Sequence, residues 1–177
     1  MHRTSLAIAS MCLILPLPGC DRPLPGADDV KPADAVVRRD GQPDMIRVAD
    51  DDPEMHQAIA EARRTVATII AALKAPKPTQ QAFAVKKPFR EGDVVEHIWL
   101  SDISFDGTTF KGRVDNEPVD VKNVKAGATA TVAPGEIDDW FFVEDGKLVG
   151  GTSLRLLHQR MSPAEKKDFE ANIGFKL

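Results

Sequence analysis

His97 is the residue of this chain best suited to chemistry. An imidazole changes charge near neutral pH, so it can act as a general base or as a metal ligand. It stands beside Glu96 in the run Val-Val-Glu-His-Ile-Trp-Leu, residues 94–100. Strand alternation puts it on the same face as Trp99, near a sheet end and opposite Asn116. The plainer alternative is a half-buried histidine hydrogen-bonded to Asn116 or to backbone. Asp138 and Asp139 are adjacent. Neighbours on a strand point to opposite faces, so this pair does not by itself make the two facing carboxylates of acid–base catalysis. Turn capping or solvated charge is the expected role.

The remaining candidates form no motif. His56 and His158 lie in no H-E-x-x-H pattern, and Gly150-Gly151 lacks the Lys-Ser/Thr and the helix of a phosphate loop. Ser101 and Ser153 sit in no nucleophile elbow. No catalytic constellation, cofactor or metal is implied. The aromatics say more. Trp140, Phe141 and Phe142 are consecutive, so at least one of the two phenylalanines faces away from Trp140. If helices cover only one sheet face, Trp99, Trp140, Phe141 and Phe142 supply a patch for a partner or ligand, rimmed by Asp138, Asp139, Glu144 and Asp145. The alternative is a sheet buried on both sides.

Positioning these residues falls to an α+β domain over residues 51–177. Asp52-Pro53-Glu54 is a helix start, and Met55, Ile59, Ala62, Val66, Ile69 and Leu73 recur at intervals of three and four. One long amphipathic helix is expected, ending before Pro76 and Pro78. Phe83–Val85 opens the sheet, with Pro88 confining that strand to an edge or an end. Residues 94–105 form the longest strand. Asp106-Gly107 reads as a two-residue hairpin turn, which sets Phe105 opposite Thr108 and Ile103 opposite Phe110. That register places Asp102 opposite Lys111 and Trp99 opposite Val114. Residues 127–132 are a further strand. Around Asp145-Gly146, Val143 faces Leu148, Phe142 faces Val149 and Trp140 faces Gly151. Residues 152–157 continue as a strand, and Ser162-Pro163-Ala164-Glu165 is a capping box opening a short C-terminal helix. The architecture is one long N-terminal amphipathic helix on a twisted antiparallel sheet or small partly closed barrel.

The N-terminus reads as an address. Arg3 and the apolar run 6–15 form an export signal too short to span a bilayer. Leu17-Pro18-Gly19-Cys20 resembles the lipobox of bacterial lipoproteins, which implies a signal over 1–19 and lipidation of Cys20. The other cysteine, Cys12, lies in the signal, and a lone exported thiol needs such an explanation. Asp21 resembles the inner-membrane retention signal of enteric lipoproteins. The alternative is an ordinary signal peptide and a soluble periplasmic protein. Residues 20–50 form a Pro-rich tether, with a small island at Met45, Ile46 and Val48 read as an edge strand of the domain. The whole chain carries a net charge of −4. Loss of Arg3 with the signal makes it more negative, and no basic cluster points to nucleic acid.

The segments DDPEMHQAIAEAR, VEHIWLSDISFDG, GRVDNEPVDV, EIDDWFFVEDGKLVGG and RMSPAEKKDF together resemble the YegJ-like family of uncharacterised bacterial proteins, a domain of unknown function (2314). The resemblance implies a single domain behind an export signal and supplies no catalytic residue. Three functions are compatible with these readings. One is a membrane-tethered binding module of the cell envelope, with another envelope protein as partner. The second is an envelope hydrolase using His97 with Glu96, Asp102 or Asp139. The third is an immunity-type inhibitor of a toxin.

Overall fold

The computed structural model describes residues 35–37, 45–49 and 51–177. The proposed signal, Cys20 and most of the tether lie outside the described residues. Within the tether, β1 (Ala35–Val37) pairs antiparallel with β2 (Met45–Arg47), with Val36 opposite Ile46. Met45 and Ile46 therefore belong to a two-stranded ribbon, not to an edge of the main sheet as expected.

The helix start at Asp52 forms as expected. Asp52 Oδ1 accepts the backbone N–H groups of Glu54 at 3.0 Å and Met55 at 3.2 Å, and Pro53 occupies the first turn where no donor is needed. The expected single helix is in fact two: α1 (Pro53–Thr65) and α2 (Ala67–Lys74). The cause is local. The Thr65 hydroxyl donates to the Glu61 carbonyl at 2.7 Å, and Val66 N–H donates to Arg63, three residues back. A hydroxyl competing for the helix carbonyls interrupts the regular ladder. The apolar stripe survives the interruption, with Ala62 and Ile69 fully buried.

The main sheet has six strands: β3 (Gln80–Glu91), β4 (Val94–Phe105), β5 (Phe110–Val114), β6 (Thr129–Val132), β7 (Asp139–Glu144) and β8 (Lys147–Gly150). All pairs are antiparallel, in the order β6-β5-β4-β3-β7-β8, and the sheet curls into a half-barrel. β3 is thus central. Its pairing with β7 ends at Lys86–Asp139, while its pairing with β4 continues to Glu91–Val94. Pro88 lies past that end, where a missing N–H costs no ladder bond on the β7 side.

The first hairpin differs from the expected one. Phe105 pairs with Phe110, so the loop holds four residues. Asp106 takes over the turn: its Oδ1 accepts the N–H groups of Thr108 at 2.8 Å and Thr109 at 2.7 Å. These bonds, with those from both threonine hydroxyls, hold its carboxyl far below the usual carboxylate range. The register then breaks between Ser101 and Ser104, where Asp102 adopts φ 50°. This bulge reverses the alternation. Ile98 and Leu100 face the core with Phe110 and Val114, and Trp99 faces away from it. Beyond the bulge Ile103 and Phe105 turn to the core side. Gly112 sits against the bulge, where a Cβ would meet Ile103 Cγ2 at 2.7 Å and the Ser101 carbonyl at 2.9 Å.

The second hairpin has the expected register, with Glu144–Lys147, Val143–Leu148 and Phe142–Val149 paired. Trp140 and Phe142 both fill the core under α1 and α2, stacked at 6.2 Å between centroids. The Trp140 indole N–H donates to the Ala62 carbonyl of α1 at 2.9 Å, which pins sheet to helix. Each such buried aromatic stabilises the fold by roughly 3 kcal/mol. The indole lies flat against Gly150, where a Cβ would meet its ring at 2.7 Å and φ is 80°.

Residues 152–157, expected as a strand, begin α3 (Thr152–Arg160) instead. Gly150 and Gly151, both at positive φ, turn the chain out of the sheet. The new helix is capped from a distance, by Asp139 of β7. α4 (Pro163–Asn172) then follows its Ser162–Glu165 capping box as expected, so two helices end the chain where one was anticipated. Lys176 returns to β8, its N–H donating to Gly146 and its carbonyl accepting from Leu148. Among the described residues no helix is long and apolar enough to cross a membrane.

Candidate functional site

The side chains that could act gather on the sheet face opposite the core, around the start of β7. Lys86, Trp99 and Asp139 form one cross-strand row, and Pro88 pairs with His97 beside it. β4 supplies His97 and Trp99 two residues apart, which alternation puts on one face.

His97 meets neither Asn116 nor the carboxylates first considered for it. Its Nδ1–H donates to Asp138 Oδ2 at 2.6 Å. Asp138 is 4 % exposed, whereas the His97 side chain is 43 % exposed. Arg63 reaches from α1 to the other side of the carboxylate, with Nη2 3.2 Å from Asp138 Oδ1 and Nε donating to the Ile137 carbonyl at 2.7 Å. A carboxylate only accepts, so the Nδ1 proton lies toward Asp138, and in the neutral ring Nε2 is then the acceptor. Asp138 was thus the partner that sequence reasoning passed over. The signal was its place just before a strand adjacent to β3, legible only once the strand order is known.

The other carboxylates are engaged in building the fold. Glu96 is buried and accepts the backbone N–H groups of Val119 at 2.9 Å, Asp120 at 2.8 Å and Val121 at 3.2 Å. It anchors the long loop between β5 and β6. Asp102 pairs with Arg113 at 2.9 Å on the surface. Asp139, fully buried, accepts from the backbone and hydroxyl of both Thr152 and Ser153. It does not face Asp138's partners, in keeping with the alternation of neighbouring strand residues. His158 of α3 bonds Glu170 of α4 at 2.9 Å. Among the described residues no group of three or more His, Cys, Asp or Glu is placed to hold a metal ion.

Lys86 lies between these features. Its ammonium sits 5.5 Å from the Trp99 ring centre, a cation–π contact. Burial pushes its pKa below the usual lysine value, against the opposing pull of Asp139 and Asp138. The residue as a whole is half-buried.

The four aromatics proposed for contact divide. Trp140 and Phe142 are 3 % and 2 % exposed and belong to the core. Trp99 and Phe141 meet edge to face at 4.8 Å on the opposite side, and Phe175 packs on Phe141 at 5.9 Å. Trp99 and Phe141 line a groove of about 400 Å³ with Phe83, Ser101, Asp102 and Asp115. Both β-bulges open onto it, at Ala82 of β3 and Asp102 of β4. Cys20, the proposed lipidation site, lies outside the described residues.

Known proteins give the chain relatives but no mechanism. It is 31 % identical over 123 residues to the uncharacterized protein YegJ of Escherichia coli, covering 70 % of this chain and 79 % of that one. It is 35 % identical over 94 residues to a putative ankyrin repeat protein of Neisseria meningitidis. That match spans 51 % of this chain and only 37 % of the Neisseria protein. No solved structure matches. The profile of the uncharacterized proteins conserved in bacteria (DUF2314) matches residues 52–177, from the cap of α1 to the last residue, and the chain belongs to that family.

Proposed function

We propose that the protein is an exported lipoprotein, anchored through Cys20 to a bacterial membrane and facing the periplasm or exterior, whose domain binds another envelope protein. The observation that carries the binding role is the Trp99–Phe141 pair on the face away from α1 and α2. Aromatics of this kind, half-buried in a groove with polar neighbours, are typical anchors for a protein partner. The two bulges add a second element. A bulged residue is left out of its ladder, so Ala82 and Asp102 offer backbone groups to an extended segment laid along the groove. The lipobox-like run and the Pro-rich tether support the location.

The test is photo-crosslinking in cells, with the crosslinker at Ser101 in the groove and, as control, at Lys166 on α4. The expected outcome is one partner captured from Ser101, absent from Lys166 and lost on Trp99→Ala in a folded protein. Equal capture from both positions overturns the assignment of the groove. For the anchor, Cys20→Ser is expected to move the processed protein from the membrane to the soluble fraction. A processed variant that stays on the membrane rules out lipid attachment.

A further inference from the structure

We propose that His97 and Asp138 form a proton-transfer centre that hydrolyses an acyl ester bearing a flat apolar group. This goes beyond the binding role, because it assigns a reaction to the same open face.

The geometry is that of a base and its orienting acid. Arg63 already neutralises Asp138 and ties α1 to the strand through Ile137. Those contacts engage one oxygen of the carboxylate. The remaining Asp138 oxygen points at the Nδ1 of a half-exposed imidazole, at 2.6 Å. A buried carboxylate that fixes one ring nitrogen while the other faces out is how a histidine is held ready to accept a proton. Among the described residues Nδ1 is the ring nitrogen with a partner, which leaves Nε2 for substrate or water.

The surroundings name the substrate class. Trp99, two residues along β4, offers a flat ring on the same face. Lys86 is the diagonal cross-strand neighbour of His97, about 7–8 Å away by sheet geometry. A carbonyl between the two would place its oxygen toward the ammonium, where negative charge develops. The step balances without a further reactant. Nε2 takes a proton from water, and the water oxygen bonds to the carbonyl carbon. The bond from that carbon to the alcohol oxygen breaks, and the proton on Nε2 passes to the departing alkoxide. Ester and water become acid and alcohol. His97 is the catalytic residue, and Asp138 positions it.

The test uses the full-length chain in detergent with p-nitrophenyl acetate, alongside carbethoxylation by diethyl pyrocarbonate followed by peptide mass spectrometry. The chain is expected to release nitrophenolate at least tenfold faster than its His97→Gln variant, with unchanged circular dichroism. His97 should also be carbethoxylated several-fold faster than His158, and Asp138→Asn should erase that advantage. The second readout reports the reactivity of the imidazole independently of ester turnover. Equal nitrophenolate release from the chain and His97→Gln overturns the reaction. Carbethoxylation of His97 no faster than that of His158, or unaffected by Asp138→Asn, overturns the positioning role.

Discussion

Asp138 and Asp139 are neighbours in sequence, alike in type and in burial, and they are put to opposite uses. Asp139 spends its whole accepting capacity inside the protein. It takes the N–H and hydroxyl of Ser153 at 2.8 and 2.6 Å, those of Thr152 at 3.1 Å each, and its neighbour Trp140 N–H at 2.8 Å. The result is a strand that caps a helix. Among the described residues Asp138 takes two side chains, and one of them, His97, stands half in water. The difference teaches that burial of a carboxylate says little about its role. The exposure of its partners decides whether it serves the fold or the surface.

Substitutions can break or sharpen that contrast. Asp139→Ala is expected to lower the unfolding free energy by about 3–5 kcal/mol, since it strands buried donors at the start of α3. Urea denaturation would measure it, and a loss under 1 kcal/mol would erase the distinction. Glu96→Ala should cost about 2–3 kcal/mol, because three backbone N–H groups of the β5–β6 loop lose one acceptor. Amide hydrogen exchange should localise the effect to residues 119–121. Asp138→Asn should cost only about 1 kcal/mol, as Arg63 is reached by water, while its effect on His97 reactivity is large. Trp99→Ala should change stability by less than about 1 kcal/mol and still abolish partner capture.

The smallest effect concerns pH. Burial holds the folded-state pKa of Lys86 below that of the unfolded chain, near 10.5. Just below that value the unfolded chain binds the proton that the folded one has released, so this lysine makes stability rise with pH there. Lys86→Met should remove that rise, leaving the slope of the stability profile just below pH 10.5 less positive than the parent's. An unchanged slope would mean the amine is solvated after all.

How much of this was legible beforehand depends on how far each contact reaches along the chain. The cap at Asp52, the box at Ser162 and the Asp145-Gly146 turn act over two to four residues, and all three form as read. The Asp106-Gly107 turn looked equivalent. There the threonines at 108 and 109 give Asp106 four donors, which favours a longer loop, and the bulge at Asp102 then inverts which face Trp99 occupies. α3 escaped notice because its cap comes from Asp139, thirteen residues earlier, and Gly150-Gly151 reads equally well as the end of a hairpin. The His97–Asp138 pair spans 41 residues of sequence. It depends on β7 lying against β3, an order that no local pattern announces.

Pro88 has a consequence for life at high local concentration. The Lys86 carbonyl points toward β7 and accepts the Asp138 N–H at 2.9 Å. Backbone direction repeats every second residue, so the nitrogen of Pro88 points the same way, into the stretch of β3 that β7 has left uncovered. An ordinary residue there would present an N–H to solvent beside a bare strand margin, an invitation for another molecule to add its own strand. Proline withdraws that donor. The end of β3 past β7 is thereby kept from becoming a seam along which copies of the chain stitch together.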